Sequence, residues 1–134
     1  MTSQVAKISY FGIYGRAENA RMCMWKAGKE YEDQRVTFPE WPAMKPTTEF
    51  GSLPFATLED GTTIGQSIPM MNFIASSCGM MPTDPCKRYL GEKVFEYAWG
   101  DVFGPCIAIC SKKDAALAEG VKKCKEVHVP KFIA

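Results

Sequence analysis

A chain of 134 residues, 46% hydrophobic and 23% charged, is long enough for one buried core, or for a small domain with part of a second. A formal net charge of +1 gives no reason to expect nucleic acid or an anionic membrane as partner. No stretch approaches the roughly 20 apolar residues of a membrane helix, and the opening MTSQVAKIS is too polar for a secretory signal.

Along the chain, Lys7 to Phe11 alternates and then turns apolar, which predicts a strand. RAENARMCMWKAGKE follows, with Ala20, Cys23, Met24 and Ala27 on one helical stripe and Gly28 as its stop. YEDQRVTF reads as a second strand, and PEWPAMKP, rich in proline, as a short irregular helix. LPFATLEDGTTIG is strand, Asp-Gly turn, strand. Ser67 is expected to cap a third helix running to about Cys78, with Pro69 tolerated in its first turn. The order βαβ, irregular α, then ββα predicts an α/β, thioredoxin-like domain over residues 1–80 with a mixed four-stranded sheet.

After CGMMPTDP the character changes. Asp84-Pro85 is a helix start, Tyr89 to Cys110 is helical and densely apolar with a kink expected at Gly104-Pro105, and Leu117, Val121, Cys124 and Val127 mark a further helix. Residues 84–134 are expected to form an incomplete all-helical domain, because the sequence runs through Pro130 into KFIA without a capping signal.

Cysteines at 23, 78, 86, 106, 110 and 124 include no CxxC pair and no zinc spacing. They read as reduced thiols, with Cys106 and Cys110 sharing a helical face, and no metal site is expected. The single His128 lies in a helical pattern and reads as a packed or exposed residue.

Several residues suggest chemistry. In ISYFGIYGRAENARM, Tyr10 stands at a strand end, where open α/β sheets bind ligands. A phenol with pKa near 10 stays protonated at neutral pH and can donate to an anion. Arg16, just before a helix, can steady that phenol or a nearby carboxylate, and the helix N-terminus adds partial positive charge. Taken alone, Tyr10 would read as a core or cross-strand residue. Leu53-Pro54 precedes a strand, where a cis proline would present backbone groups to an extended peptide. Gln66 and Ser67, besides capping, combine with free N–H groups into a carboxylate site. Trp41 and Lys45, alone a surface aromatic and a solvated lysine, lie four apart nearby. Together the set describes a peptide with two carboxylates. Its expected form is a phenol opening on a groove that joins Ser67 and Lys45.

YFGIYGRAENARM, YEDQRVTFPEWPAMK, FGSLPFATLEDG and IGQS occur in the order found in the cytosolic glutathione transferases, and the chain resembles the sigma class, which includes prostaglandin D synthases and S-crystallins. The resemblance runs over about residues 5–78. It implies glutathione as co-substrate, with Tyr10 stabilising the thiolate and Arg16 supporting it. It implies Trp41 and Lys45 at the glycyl carboxylate, the Leu53 backbone and cis Pro54 along the peptide, and Gln66 and Ser67 at the γ-glutamyl end. Asp101 is implied as the acid supplied by a partner subunit of a homodimer. Phe11, Ile13 and Phe103 would wall the pocket for a small hydrophobic electrophile. Ser52 departs from a longer Gln or Lys, and Pro69 and Asn72 depart from the third-helix pattern SxAIxRYL.

The function implied is a cytoplasmic transferase that joins the glutathione thiolate to electrophiles, without nucleic acid, membrane or metal. Two alternatives are a glutathione-dependent prostaglandin isomerase and a non-catalytic glutathione-binding or crystallin-like protein. The unfinished second domain adds the expectation that this chain binds glutathione yet turns over slowly. A thiol-disulfide oxidoreductase would want a cysteine beside Tyr10, and the nearest, Cys23, is deep in the first helix.

Overall fold

Strand β1 (Val5–Phe11) buries residues on both faces: Val5, Ile8 and Tyr10, and also Ser9. A strand covered on both sides belongs in the middle of a sheet. The computed structural model, which describes residues 4–110 and 112–130, places it there, in the order β2-β1-β3-β4. Buried Ser9 is satisfied by donating to Gln34 Oε1 at 2.6 Å. The chain divides into two units, one ending at Met81 and the other starting at Pro82.

In the first unit, α1 (Glu18–Lys26) crosses over to β2 (Glu32–Val36), which pairs parallel to β1 with Tyr10 opposite Arg35. Gly28, at φ +61°, ends α1: its N–H donates to Trp25 O, and Lys29 N–H donates to Met24 O, both at 3.0 Å. Helix α2 (Trp41–Met44) is a single turn followed by a 3-10 turn (Lys45–Thr47), as short as its prolines require. The Glu40 carboxylate reaches back before it, accepting from the N–H and hydroxyl of Thr37 at 2.9 and 2.7 Å, the half of a capping box that satisfies the upstream N–H. Strands β3 (Phe55–Leu58) and β4 (Thr63–Gly65) are antiparallel, and β3 runs antiparallel to β1. Their turn is fixed by Gly61 at φ +85° and by Asp60, which accepts from Thr62 N–H at 2.8 Å. Helix α3 (Ser67–Ser77) packs on α1, and Ile8, Met70 and Ile74 are sealed in the core. Burial of each contributes about 2 kcal/mol.

Two local expectations need correction here. Ser67 is the first helical residue, while the capping position belongs to Gln66, held at φ 62° with no side-chain cap bond. The inward stripe of α1 is Ala17, Ala20, Arg21 and Met24, with Cys23 at its margin, so a charged residue takes a core position.

In the second unit, α4 (Pro85–Glu96) begins as the sequence indicates, with Asp84 accepting from Lys87 N–H at 2.8 Å and Pro85 in the first turn. The helix departs from α-geometry well before Gly104-Pro105. Tyr97–Phe103 is π-helical, then α5 (Gly104–Ala108) resumes. A proline ring collides with the carbonyl four residues back in a regular helix; wider turns upstream move that carbonyl aside. Helix α6 (Asp114–Lys123) gives way to a second π-helical stretch, Cys124–His128. Of its apolar series only Cys124 is buried. The KFIA ending lies outside the described residues. The fold is a thioredoxin-like α/β unit followed by an all-helical one.

Candidate active site

The turn between β1 and α1 brings Tyr10 and Arg16 together. Arg16 N–H donates to the Tyr10 hydroxyl at 3.3 Å, which leaves the phenol its own proton to donate. Gly15 makes this approach possible, because a Cβ there would lie 2.8 Å from the Tyr10 oxygen. The Tyr10 ring is more enclosed than the expected solvent-facing phenol, at 7% exposure. The cause is packing on three sides: the core beneath, Phe11 tilted at 5.6 Å, and the Arg21 guanidinium 5.7 Å from the ring centroid.

Arg21 is the residue that the sequence reading missed. It is 5% exposed and donates to Asp33 Oδ1 at 3.0 Å, Glu18 Oε2 at 3.3 Å, Ile13 O at 3.3 Å and Phe11 O at 3.5 Å. A buried guanidinium needs such partners. Two of them are carbonyls of the strand end and turn that carry Tyr10, so Arg21 ties α1 to that turn. Asp33 is shared with Arg35, whose Nε donates to Oδ2 at 2.7 Å. The signal was available: positions 17, 20, 21 and 24 are an inward helical series, and Asp33 faces it from β2. Cys23 lies against the same core, and burial, then the neighbouring Cys78, pushes its thiol up, away from thiolate chemistry.

Phe11 stacks on Phe38 at 4.7 Å and meets the Trp41 ring edge-on at 6.0 Å, so Trp41 and Phe11 belong to one aromatic cluster beside Tyr10. Ile13 stands out from the turn at 45% exposure. Lys45 is exposed, and its Cε lies 3.4 Å from where a Gly51 Cβ would be, so its stem runs along the FGSLP turn. The Leu53-Pro54 bond is cis, with Pro54 buried and Leu53 half-buried against the core. Gln66 is exposed and Ser67 half-buried at the start of α3. The N–H groups of Ser67 and Ile68 open that helix, and the first in-helix bond is Met70 N–H to Gln66 O at 2.9 Å. Ser52 lines a small pocket with Thr47, Thr48, Phe50, Phe55 and Thr63. That pocket includes none of Tyr10, Lys45 and Ser67.

Asp101 and Phe103 lie in the π-helical stretch of the second unit. Asp101 is exposed; Phe103 is half-buried, its ring edge-on to Trp99 at 4.4 Å.

No family model matches the chain. Glutathione S-transferase 1 of Ascaris suum is 30% identical over 139 residues, a match covering 96% of this chain and 66% of that protein. Hematopoietic prostaglandin D synthase of Gallus gallus is 34% identical over 90 residues, covering 67% of this chain and 45% of its own length. Among solved structures, the sigma class glutathione transferase of Fasciola hepatica superposes with a TM-score of 0.81 at 27% identity, over 95% of this chain and 62% of that one. The chain thus spans about half to two thirds of the length of these relatives. Similarity over almost its whole length, on the same fold, makes the chain a member of the glutathione transferase family, sigma-like in type.

Proposed function

We propose that the protein is a glutathione transferase that joins the glutathione thiolate to a small electrophile. The observation that carries this reading is the Tyr10 hydroxyl held by Arg16 N–H, with its own proton left to donate to sulfur. In this reading the first unit is the glutathione-binding domain. Lys45 and Trp41 take the glycyl carboxylate, the Leu53 backbone beside cis Pro54 takes the peptide, and Gln66, Ser67 and the opening N–H groups of α3 take the γ-glutamyl end. Phe11 and Ile13 face the electrophile, and Asp101 serves the partner subunit in a cytoplasmic homodimer. No helix of the described residues is long and apolar enough to cross a membrane.

Thiolate stabilisation is a modest source of rate. A thiol of pKa about 8.5 brought to about 7 gains roughly fifteen-fold in thiolate at pH 7. It loses about five-fold in nucleophilicity at a Brønsted slope near 0.45. The net gain is about three-fold, under about 1 kcal/mol; holding the electrophile beside the sulfur supplies the larger share. The test is Tyr10→Phe, assayed with a chloronitrobenzene substrate and by retention on glutathione-agarose. Turnover should fall at least about three-fold while retention persists. Unchanged turnover would remove Tyr10 from the reaction.

Similarity to the prostaglandin D synthase supports a second reading, glutathione-assisted isomerisation of an endoperoxide, which uses the same thiolate. Endoperoxide turnover exceeding chloronitrobenzene turnover would favour it.

A further inference from the structure

Within the second unit two thiols from separate elements meet. Cys106 Sγ of α5 donates to Cys124 Sγ at 2.9 Å, across 18 residues of chain. Cys124 is the buried member and opens the π-helical stretch Cys124–His128; Cys106 is half-buried, one turn beyond the other π-helical stretch. Exposed Cys110 lies one turn further along, its thiol directed at Cys106 O at 3.7 Å. Closing the pair from 2.9 Å to a covalent separation of about 2.0 Å is a small displacement. A π-helical stretch ends one turn before Cys106 and another begins at Cys124, so neither thiol sits within a long run of regular α-helix. We propose that Cys106 and Cys124 form a dithiol modification site, converted to an internal disulfide by a low-molecular-weight aliphatic disulfide.

The exchange has two steps. The Cys106 thiolate attacks one sulfur of the external disulfide, breaks its S–S bond and releases one thiolate, leaving a mixed disulfide on Cys106. Cys124 then attacks the Cys106 sulfur and expels the second small thiolate. The protein loses two electrons and two thiol protons; the external disulfide gains both and leaves as two thiols. The hydrogen bond with Cys124, then burial, raises the Cys106 pKa to about 11. The thiolate is therefore scarce at neutral pH, and the first step is the slow one.

The test uses glutathione disulfide as the oxidant, at pH 8.5, on the full chain carrying Cys86→Ser and Cys110→Ser, followed by alkylation and peptide mapping. The expected product is a Cys106–Cys124 linked peptide, two fewer alkylated thiols, no retained glutathione adduct, and full reversal by dithiothreitol. Adding Cys124→Ser should instead trap one glutathione on Cys106. Cys106 and Cys124 both still alkylated, or a stable adduct on either thiol of the intact pair, would overturn the proposal. The intact-pair result decides even where the Cys124→Ser chain does not fold.

Discussion

The two units build their interiors differently. Among the described residues every buried hydrophobic side chain but Cys124 belongs to the first unit, where a four-stranded sheet and two helices close on Ile8, Met24, Met70 and Ile74. The second unit is all helix, and α4 buries none of its residues; Tyr89, Leu90 and Val94 are more than half exposed. Regular α and β geometry accompanies the closed core, and both π-helical stretches lie where burial is sparse. A closed core enforces one packing; a helix with little buried against it adjusts its turns to local demands such as Pro105.

The sharpest way to break this comparison is to truncate one aliphatic side chain in each unit. Ile74, fully buried in α3, should cost about 3 kcal/mol as Ile74→Ala, since transfer and cavity terms add. Leu117, 38% exposed in α6, should cost under about 1 kcal/mol as Leu117→Ala. Denaturant unfolding of both variants measures the difference. Equal losses would mean that exposure does not distinguish the units energetically.

That contrast also explains what was legible. The first unit follows from short-range rules: alternation gives β1, Asp60-Gly61 gives the hairpin, Gly28 stops α1, and proline keeps α2 short. That Tyr10 and Arg16 flank one turn, and that Gln66 and Ser67 stand at a helix start, was legible because turns and helix starts have local signatures. Arg21 was missed because the stripe of α1 was drawn through Ala20, Cys23, Met24 and Ala27, the apolar positions, although position 21 adjoins that face and Asp33 stands opposite it. In the second unit a repeat of 3.6 was assumed where wider turns occur, and the meeting of Cys106 with Cys124 joins separate elements 18 residues apart, which no local pattern encodes.

A smaller effect is expected where Gly120 and Ile109 press together in the second unit. Gly120 of α6 lies directly under Ile109, and a Cβ at Gly120 would overlap the Ile109 side chain. Gly120→Ala should destabilise by about 2 kcal/mol through overpacking, despite the better helix propensity of alanine. Adding Ile109→Ala should restore most of the loss in a double-mutant cycle. Additive losses would show that the two residues do not press on each other.

The first unit has its own flaw. Asn72 Oδ1 in α3 is buried with no hydrogen-bond partner, at the position where the third-helix pattern SxAIxRYL carries its Arg. An unpaired buried acceptor costs about 1–3 kcal/mol. Asn72→Leu, of similar volume, should raise stability by about 1 kcal/mol and leave glutathione-agarose retention unchanged. A fall in stability would mean that the amide is satisfied in solution.

The smallest effect concerns pH and the entrance to α2. The Thr37 hydroxyl, then its N–H, hold the Glu40 carboxyl below the usual carboxylate range. The folded pKa is depressed, so the cap's contribution is complete at neutral pH and is lost as pH falls through the Glu40 value. The Thr37 amide should therefore lose protection from hydrogen exchange in that acidic window, and in Glu40→Gln the loss should no longer track pH. Because Glu40 lies on the surface, global stability should barely respond while the local amide does. A large global loss would instead tie α2 into the closed core, and would weaken the distinction between local caps and buried packing within the first unit.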